Sequence, residues 1–335
     1  MNFAILGCGL IGAKRAHALK GHRLVACMDT DLKRAESLAR AFPGALATTD
    51  PEQAVSLAEV DAVIVAAPHA ALPALTELAL RHGKHVLVEK PGGRNARELA
   101  HLPALADKTG ARVRVGFNHR YHRALRKARE IVDQGHLGPL MFVRARYGHG
   151  GRVGYNKEWR AIPALSGGGE LIDQGMHLID LSRWFLGEFP IVEGFAATCF
   201  WDMPVDDNAF MLMRTERKQV AFLHASASEW KNLFSFEIYG RDGKLHIDGL
   251  GGSYGVERLS WYKMLPQMGP PETTIYEYPM ADDSWEVEIA AFVEDIESKR
   301  TPDPGLPDAI AALEIVGRLY ANSDADLQSA LGSAA

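Results

Sequence analysis

The chain has 335 residues, of which 47% are hydrophobic and 24% are charged. At roughly 150 residues per domain this length suggests two domains, and the composition excludes a disordered, collagen-like or disulfide-scaffold protein. With 37 basic and 42 acidic side chains the net charge is −5. No basic block marks a nucleic-acid-binding surface, so nucleic acid is not an expected partner.

The cysteines Cys8, Cys27 and Cys199 are widely spaced and form no C-x-x-C pair. This spacing predicts neither a disulfide framework nor a metal site, and it favours a reducing, cytoplasmic setting. An apolar run begins at Asn2 without a charged leader before it, and no apolar stretch reaches the length of a membrane span. We therefore expect a protein that is neither exported nor inserted in a membrane.

The first half of the chain predicts an α/β fold with a doubly wound parallel sheet. Short, near-continuous apolar runs alternate there with segments of helical period, which is typical of βαβ units. The predicted strands are residues 3–6, 24–28, 62–66, 86–88 and 113–117. The predicted helices are residues 13–20, 32–41, 72–82 and 96–108.

The second half predicts an α/β domain with a large, mostly antiparallel open sheet. A helix at 123–134 leads into residues 140–147, then a glycine-rich loop, and then a helix at 170–185. Successive strand patterns joined by turns such as Arg241-Asp242-Gly243 indicate hairpins. These strands are residues 191–200, 209–214, 220–227, 234–240, 244–248 and 259–262, followed by helices at 284–299 and 307–323. We expect a dinucleotide-binding domain over 1–120 and a substrate-binding and oligomerisation domain over 121–335.

A dinucleotide-binding turn is predicted by Gly7-Cys8-Gly9-Leu10-Ile11-Gly12, which matches G-x-G-x-x-G between a strand and a helix. Its glycines allow a tight turn and a close approach of the backbone to a pyrophosphate at the helix N-terminus. A plain structural turn is the alternative. Asp29 ends the second strand, where a carboxylate would accept the ribose hydroxyls and repel a 2′-phosphate, so NAD is favoured over NADP. Lys33 and Arg34 could instead hold that phosphate or form a solvated helix face.

Two further places carry chemistry. Lys90, in Glu89-Lys90-Pro91, follows a strand at the end where α/β sheets bind ligands, and its ammonium could stabilise a developing alkoxide. Asp173 and His177 have i, i+4 spacing on one helix face, which suits a base and the carboxylate that orients it. A surface lysine and a buried polar pair, respectively, are the alternatives.

With these motifs the sequence resembles the Gfo/Idh/MocA oxidoreductases over nearly the whole chain. The motifs appear in the family's order. They are the glycine turn at 7–12, Ala66-Ala67-Pro68-His69, Gly83-Lys84-His85-Val86-Leu87-Val88-Glu89-Lys90-Pro91, Gly116-Phe117-Asn118-His119-Arg120, and Gly167-Gly168-Gly169-Glu170-Leu171-Ile172-Asp173-Gln174-Gly175-Met176-His177.

The resemblance implies a Rossmann domain followed by an α/β domain whose open sheet mediates assembly into a homodimer or homotetramer. It implies that Lys90 contacts the reacting hydroxyl, that His177 accepts its proton, and that Asp173 binds substrate and supports His177. It also implies a cis Lys90–Pro91 bond. The cofactor-binding set is then Gly7, Gly9, Leu10, Ile11, Gly12, Asp29, Ala67, Pro68, His69, Glu89, Lys90 and Asn118.

The sequence departs from the family's pattern at two positions. Leu72 replaces a histidine often found there, and His69 replaces an asparagine. The contact made by the replaced histidine is therefore in doubt.

The family acts on sugars, polyols, inositols and their acidic or nucleotide-linked derivatives. The loop cations Arg152, Lys157 and Arg160, with Trp159 and with Arg120 after the strand at 113–117, favour an acidic or nucleotide-linked sugar. A solvated loop is the alternative. We expect Arg120 and Trp159 to join Lys90, Asp173 and His177 in binding substrate.

The sequence therefore predicts an NAD-dependent dehydrogenase acting on CH–OH groups. Two other functions stay open. One is redox-neutral glycoside hydrolysis through a keto sugar. The other is a non-catalytic NAD-binding regulator, against which the intact Lys90, Asp173 and His177 argue.

Overall fold

The computed structural model describes residues 1–332 and divides the chain into two compact units. The first unit contains Met1–Phe117 and Trp285–Leu313, and the second contains Asn118–Ser284 and the residues that follow Leu313. The sequence-based division at residue 120 instead assigns everything after that residue to one domain. The structure differs because Trp285–Leu313 packs with the first unit.

Strands form two sheets. In chain order the strands of the described residues are β1 (Asn2–Leu6), β2 (Arg23–Met28), β3 (Leu46–Thr48), β4 (Ala62–Val65), β5 (His85–Glu89), β6 (Val113–Gly116), β7 (Leu140–Gly148), β8 (Ile191–Ala197), β9 (Asn208–Arg214), β10 (Val220–Ser226), β11 (Leu233–Gly240), β12 (Gly243–Asp248), β13 (Glu257–Lys263) and β14 (Glu272–Tyr278).

The α-helices of the described residues are α1 (Leu10–His17), α2 (Leu32–Ala39), α3 (Pro51–Val55), α4 (Leu72–Arg81), α5 (Ala96–Leu99), α6 (Leu102–Thr109), α7 (Arg123–Asp133), α8 (Pro163–Ser166), α9 (Met176–Leu186), α10 (Ser284–Glu297), α11 (Leu306–Ala321) and α12 (Ala325–Gly332). A π-helical turn, Leu171–Gly175, directly precedes α9. No helix within residues 1–332 is long and apolar enough to cross a membrane.

The first unit contains a six-stranded parallel sheet in the order β3-β2-β1-β4-β5-β6. The order reverses between β1 and β4, which creates a switch point where ligands bind beyond the carboxyl ends of the strands. Side chains on both faces are fully buried, including Phe3 and Ile5 of β1 and Val63 and Ile64 of β4. This arrangement confirms the predicted doubly wound sheet.

Helix α10 belongs to the first unit because its apolar side chains complete that unit's core. Ile289, Phe292 and Val293 are buried in the same cluster as Phe3 and Ile5 of β1. Burying a side chain as large as Phe292 contributes on the order of 2–3 kcal/mol. The segment therefore packs against the core of the first unit, where its apolar side chains are covered. It does so although the whole of 118–284 lies between Phe117 and Trp285 in sequence.

The helix predicted at 96–108 is two helices. Helix α5 ends at Leu99, and α6 begins at Leu102 with Pro103 in its first turn. A proline has no N–H to donate to the preceding turn and clashes with its carbonyl, so it starts a helix rather than continuing one. The apolar period runs across both helices and conceals this break.

The second unit contains an eight-stranded sheet in the order β14-β13-β12-β11-β7-β10-β9-β8. Of its pairs, β7–β10 is parallel and the others are antiparallel. Helices α7 and α9 pack against it. The mostly antiparallel sheet is as predicted, with β14 as an added edge strand.

Part of this sheet presents an apolar surface to solvent, which we call the outer aromatic face. It consists of four side chains, Phe195, Phe210, Leu212 and Phe222, which are between 37% and 54% exposed. Phe195 lies opposite Phe210, and Leu212 lies opposite Phe222, so the four form one contiguous patch.

Candidate active site

The glycine turn follows β1 and leads into α1. Gly7 has a φ of +102°, and a β-carbon there would lie 2.3 Å from the carbonyl oxygen of Ala66. A β-carbon on Gly12 would lie 1.8 Å from the carbonyl oxygen of Gly7, so both positions exclude a side chain. A β-carbon on Gly9 would meet nothing within 4 Å, and no side chain caps α1. The turn leaves space beside helix N–H groups, as a pyrophosphate requires.

Asp29 fixes a negative charge beside this turn. It follows β2 directly and is 8% exposed. Its Oδ2 accepts a hydrogen bond from the Cys8 N–H at 2.8 Å, and its Oδ1 accepts one from the Asp31 N–H at 2.9 Å. The alternative phosphate ligand, Arg34, is exposed and lies 3.7 Å from the Asp31 carboxylate. The open turn and the buried carboxylate together fit NAD.

The segment after β4 lies beside the same turn. The Ala66 N–H donates to the Leu6 carbonyl at 2.8 Å, so this segment begins at the switch point of the sheet. Ala67 and Pro68 follow, and His69 is buried at the start of a short 3-10 turn. Leu72, where the family often has a histidine, is fully buried and starts α4. Position 72 therefore serves packing in this chain.

The segment after β5 is held by a buried ion pair. The Arg15 Nε donates to the Glu89 Oε1 at 2.7 Å, and Arg15 also contacts the Glu288 carboxylate. Burial raises the pKa of Glu288 above its ordinary value, and the charge of Arg15 offsets this rise only in part. Glu89 ends β5, and the Lys90–Pro91 peptide bond, one residue further on, is cis as predicted. The Arg15–Glu89 pair therefore anchors the backbone that carries Lys90.

In the second unit Asp173 and His177 lie on consecutive turns of different kinds. Asp173 is in the π-helical turn and His177 is in the first turn of α9. The i, i+4 spacing predicts a regular α-helical face, whereas the π turn is wider, with hydrogen bonds from i to i+5. Asp173 is 8% exposed, and its Oδ2 accepts a hydrogen bond from the Arg160 Nε at 2.7 Å. Such turns are frequent at functional sites.

The ring of His177 stacks on a histidine that the sequence did not single out. The ring centroids of His119 and His177 are 3.6 Å apart, with 20° between the planes. Both side chains are 5% exposed. The motif Asn118-His119-Arg120 drew attention to its asparagine and arginine. The imidazole of His119, between these two residues, was the signal in the sequence that could have identified it as a candidate site residue.

The cations predicted to bind an acidic substrate have carboxylate partners within the unit. Arg120 makes a two-point ion pair with the buried Asp180, at 2.9 and 2.6 Å. Arg152 donates to Glu158 at 2.7 Å, and Arg160 is held by Asp173. Trp159 is half-buried, with the Arg160 guanidinium 4.6 Å from its ring centroid. Lys157 is exposed.

Asn118 and a polar cluster complete the picture of this unit. The Asn118 Nδ2 donates to the Ser284 Oγ at 3.1 Å. The Tyr155 hydroxyl donates to the Glu170 carboxylate at 3.2 Å, and burial raises the pKa of Tyr155. Burial lowers the pKa of His149, whose Nε2 lies 3.6 Å from Glu170. Near neutral pH the cluster therefore offers a phenol and an uncharged imidazole, neither of which the sequence identified.

Two sequence models of one family match the chain. Residues 1–117 match "Oxidoreductase family, NAD-binding Rossmann fold", and residues 125–246 match "GFO/IDH/MocA C-terminal domain". Together they match more than half of the chain, and residues 247–335 lie outside both matches.

Several similar proteins are named as dehydrogenases of inositols or sugars. The chain is 26% identical to an inositol 2-dehydrogenase of Rhizobium meliloti, over 94% of each chain. It is 32% identical to a D-glucoside 3-dehydrogenase of Escherichia coli, over 60% of this chain and 58% of that one. Among solved structures, a levoglucosan dehydrogenase in complex with NADH superposes with a TM-score of 0.85 at 19% identity, over 100% and 98% of the two chains. This last likeness is one of fold.

Proposed function

Because the chain belongs to the Gfo/Idh/MocA family of oxidoreductases, we propose that it is an NAD-dependent dehydrogenase that oxidises a CH–OH group of a neutral sugar, polyol or inositol. The observation that carries the proposal is the glycine turn 7–12 with the Asp29 carboxylate beside it, which together fit NAD. Two of the relatives are named for inositol and for D-glucosides as substrates, and these names support an uncharged polyhydroxyl substrate.

Three side chains divide the chemistry in this proposal. Bound NAD supplies the acceptor for the hydride that leaves the carbinol carbon. The Lys90 ammonium anchors the hydroxyl oxygen and stabilises the negative charge that develops on it. A ring nitrogen of His177 accepts the hydroxyl proton, and Asp173 binds substrate and stabilises the resulting imidazolium.

These roles need side chains that are held in fixed positions, and two contacts in the structure are consistent with this need. Glu89, anchored by Arg15, holds the backbone immediately before Lys90. Arg160 holds the Asp173 carboxylate from one side. A positioned group loses less freedom when the reaction occurs, which is how orientation lowers a barrier.

The charges argue for a neutral substrate rather than an acidic or nucleotide-linked one. Arg120, Arg152 and Arg160 each have a carboxylate partner in the second unit. Binding an anion there would require breaking such a pair, and for the buried Arg120–Asp180 pair this would leave an uncompensated carboxylate. These three cations therefore favour a neutral substrate in this proposal, because each is already engaged by a carboxylate.

The test is the absorbance of reduced nicotinamide at about 340 nm, with NAD and a panel of inositols, free sugars, glycosides, uronates and nucleotide sugars. We expect growth with a neutral polyol or glycoside. Lys90→Ala should lower kcat at least about 100-fold by removing charge stabilisation, and His177→Asn should do likewise. Lys108→Ala, at an exposed lysine of α6, is the matched control.

Turnover near that of the wild type in Lys90→Ala would refute the role of Lys90. Growth with uronates or nucleotide sugars alone would refute the neutral substrate. Release of free sugar from a glycoside with catalytic NAD and no absorbance change would identify redox-neutral hydrolysis instead.

We also propose that the protein assembles as a homodimer or homotetramer through the outer aromatic face. Four large apolar side chains there are between 37% and 54% exposed. Contiguous apolar surface rimmed by charged groups is typical of protein interfaces. Arg144 and Glu237, which bond to each other, lie on the neighbouring strands of the same sheet.

A further inference from the structure

His119 meets His177 through a contact that chain proximity does not explain. His119 lies in the 3-10 turn Asn118–Tyr121. His177 lies on α9, far along the chain from that turn. The centroid distance of 3.6 Å and the angle of 20° describe face-to-face stacking at van der Waals contact. A ring stacked in this way cannot rotate out of its plane without displacing the other.

The His119 ring is itself held from several sides. Its Nδ1 is 3.3 Å from the Asn118 Oδ1. Its centroid is 5.5 Å from that of His122, 5.2 Å from that of Tyr147 and 5.9 Å from that of Phe234. Tyr147 also lies 6.2 Å from His177, and burial raises its pKa, so its phenol is uncharged.

The charged groups around the stack are arranged in pairs. In the π-helical turn before α9, Asp173 pairs with Arg160. On α9 itself, Asp180 pairs with Arg120. Beyond His119, the His122 Nδ1 is 3.1 Å from the Glu257 carboxylate and 3.7 Å from the Asp282 carboxylate.

Two positive charges at 3.6 Å in a buried site would repel strongly. When two sites interact this strongly, their protons are taken up in separate steps that belong to the pair.

We infer that His119 is a positioning residue for His177: its uncharged ring fixes the plane of the base, and the pair holds one proton at a time. This inference rests on the proposed role of His177 as the proton acceptor. When His177 accepts the substrate's proton, the face of the neutral His119 ring lies against the new imidazolium. The electron-rich face of an aromatic ring attracts a cation in that position.

The first test measures protonation without measuring activity. Side-chain NMR of the full chain labelled at its histidines would follow His119 and His177, assigned with His119→Phe and His177→Asn. Over the range in which an ordinary histidine titrates, about pH 5 to 8, we expect the two rings together to take up one proton. In His119→Phe, His177 should titrate alone in a single step. His136→Phe, at an exposed histidine, is the control and should leave the pair unchanged.

Two protons taken up independently over that range, with midpoints that do not move when the other ring is replaced, would overturn the shared proton. This outcome does not depend on turnover. A coupled pair in a protein that oxidises no polyol would instead count against the proposed function alone.

The second test separates positioning from filling space. His119→Leu fills the site without a flat ring, so we expect kcat to fall at least about tenfold while KM changes less than about twofold. His119→Phe, which keeps a flat ring, should recover most of that loss. Equal kcat values in the two variants would show that the position serves packing alone. A rise in KM with unchanged kcat would show a substrate-binding role instead.

Discussion

We propose that Asp29 sets the preference of the glycine turn for NAD, because its carboxylate accepts a hydrogen bond from the Cys8 N–H within that turn. Asp29 accepts hydrogen bonds from two backbone N–H groups. Replacing Asp29 by Asn removes the charge and keeps an oxygen that can accept one of these bonds. We expect the ratio of kcat/KM for NAD to that for NADP to fall about tenfold, or ~1.4 kcal/mol. Steady-state kinetics with both cofactors measures it.

Asp31 offers the matched control for this variant. Its exposed carboxylate caps α2 by accepting the Lys33 N–H at 3.0 Å, and Asn caps a helix about as well as Asp. Asp31→Asn should therefore leave the cofactor ratio unchanged. If Asp29→Asn also left it unchanged, Asp29 would have no part in discrimination.

Single residues were predictable where the signal is local. Gly7, Gly12 and Asp29 follow from short patterns at strand ends, and the structure shows why a side chain is excluded at both glycines. The stack of His119 on His177 was not predictable, because it joins two segments far apart in sequence. The Arg160–Asp173 pair was missed for a different reason, because the irregular loop between the two residues carries no period that would bring their side chains together.

At the scale of elements, Glu237 joins three neighbouring strands of the second sheet. It lies on β11 and accepts hydrogen bonds from Arg144 on β7 and Lys244 on β12. Burial raises the pKa of Glu237, but the hydrogen bonds from Arg144 and Lys244 outweigh burial and lower the pKa from 4.5 to about 2. The charged carboxylate is therefore favoured in the folded state.

The sign of the pH dependence follows from this shift. A lowered folded-state pKa gives stability that is present above about pH 4.5 and is lost as the pH falls towards about 2. Glu237→Gln should lower the free energy of unfolding by roughly 2 kcal/mol at pH 7, a value reduced for the exposure of Arg144. Denaturant unfolding should show the difference from the wild type shrinking below about pH 4.5.

Glu277→Gln is the matched control for this measurement. Glu277 pairs with Arg258 at 2.7 Å on the outer strands, and both side chains are more than 40% exposed. An exposed pair of this kind contributes little, so we expect a change below about 1 kcal/mol. A pH-independent difference for Glu237→Gln would contradict the assigned shift.

The elements missed from the sequence are those with weak apolar patterns. Strand β3 has three residues, which is too short for a period to emerge. Strand β14 reads Glu-Thr-Thr-Ile-Tyr-Glu-Tyr and lies at the sheet edge, so its side chains are mostly exposed and its pattern is polar. Helix α3 has five residues and was missed for want of length. The other strands, in contrast, were predicted within two residues of their ends, except that β8 ends at Ala197, three residues before the predicted end.

At the scale of the whole molecule, the outer aromatic face predicts assembly. Phe222 lies on β10 and is the most exposed side chain of that face, at 54%. Phe222→Asp would place a charge in the proposed interface, and burying an unpaired charge is costly. We expect sedimentation velocity to show a shift from oligomer to monomer.

Met268→Asp makes the same kind of change on a turn where the side chain is 84% exposed, and it should leave the sedimentation coefficient unchanged. A wild-type protein that sediments as a monomer would contradict the proposed assembly directly. An oligomer that Phe222→Asp does not disrupt would place the interface elsewhere.

The division into two units could be predicted for the first 117 residues and not for the rest. The βαβ pattern stops near Phe117, which locates one boundary. The return of Trp285–Leu313 to the first unit leaves no comparable signal. Helix α10 carries an ordinary apolar stripe, and a stripe does not specify which core will cover it.

That return governs the order in which the protein can mature on the ribosome. A nascent chain that has reached Ser284 already holds the sequence of both sheets, yet it lacks Phe292 for the core around Phe3 and Glu288 for the buried Arg15. Amino-terminal domains ordinarily fold first during synthesis. Here the amino-terminal unit is the one that waits, because its core is complete only after Glu288 and Phe292 have been translated.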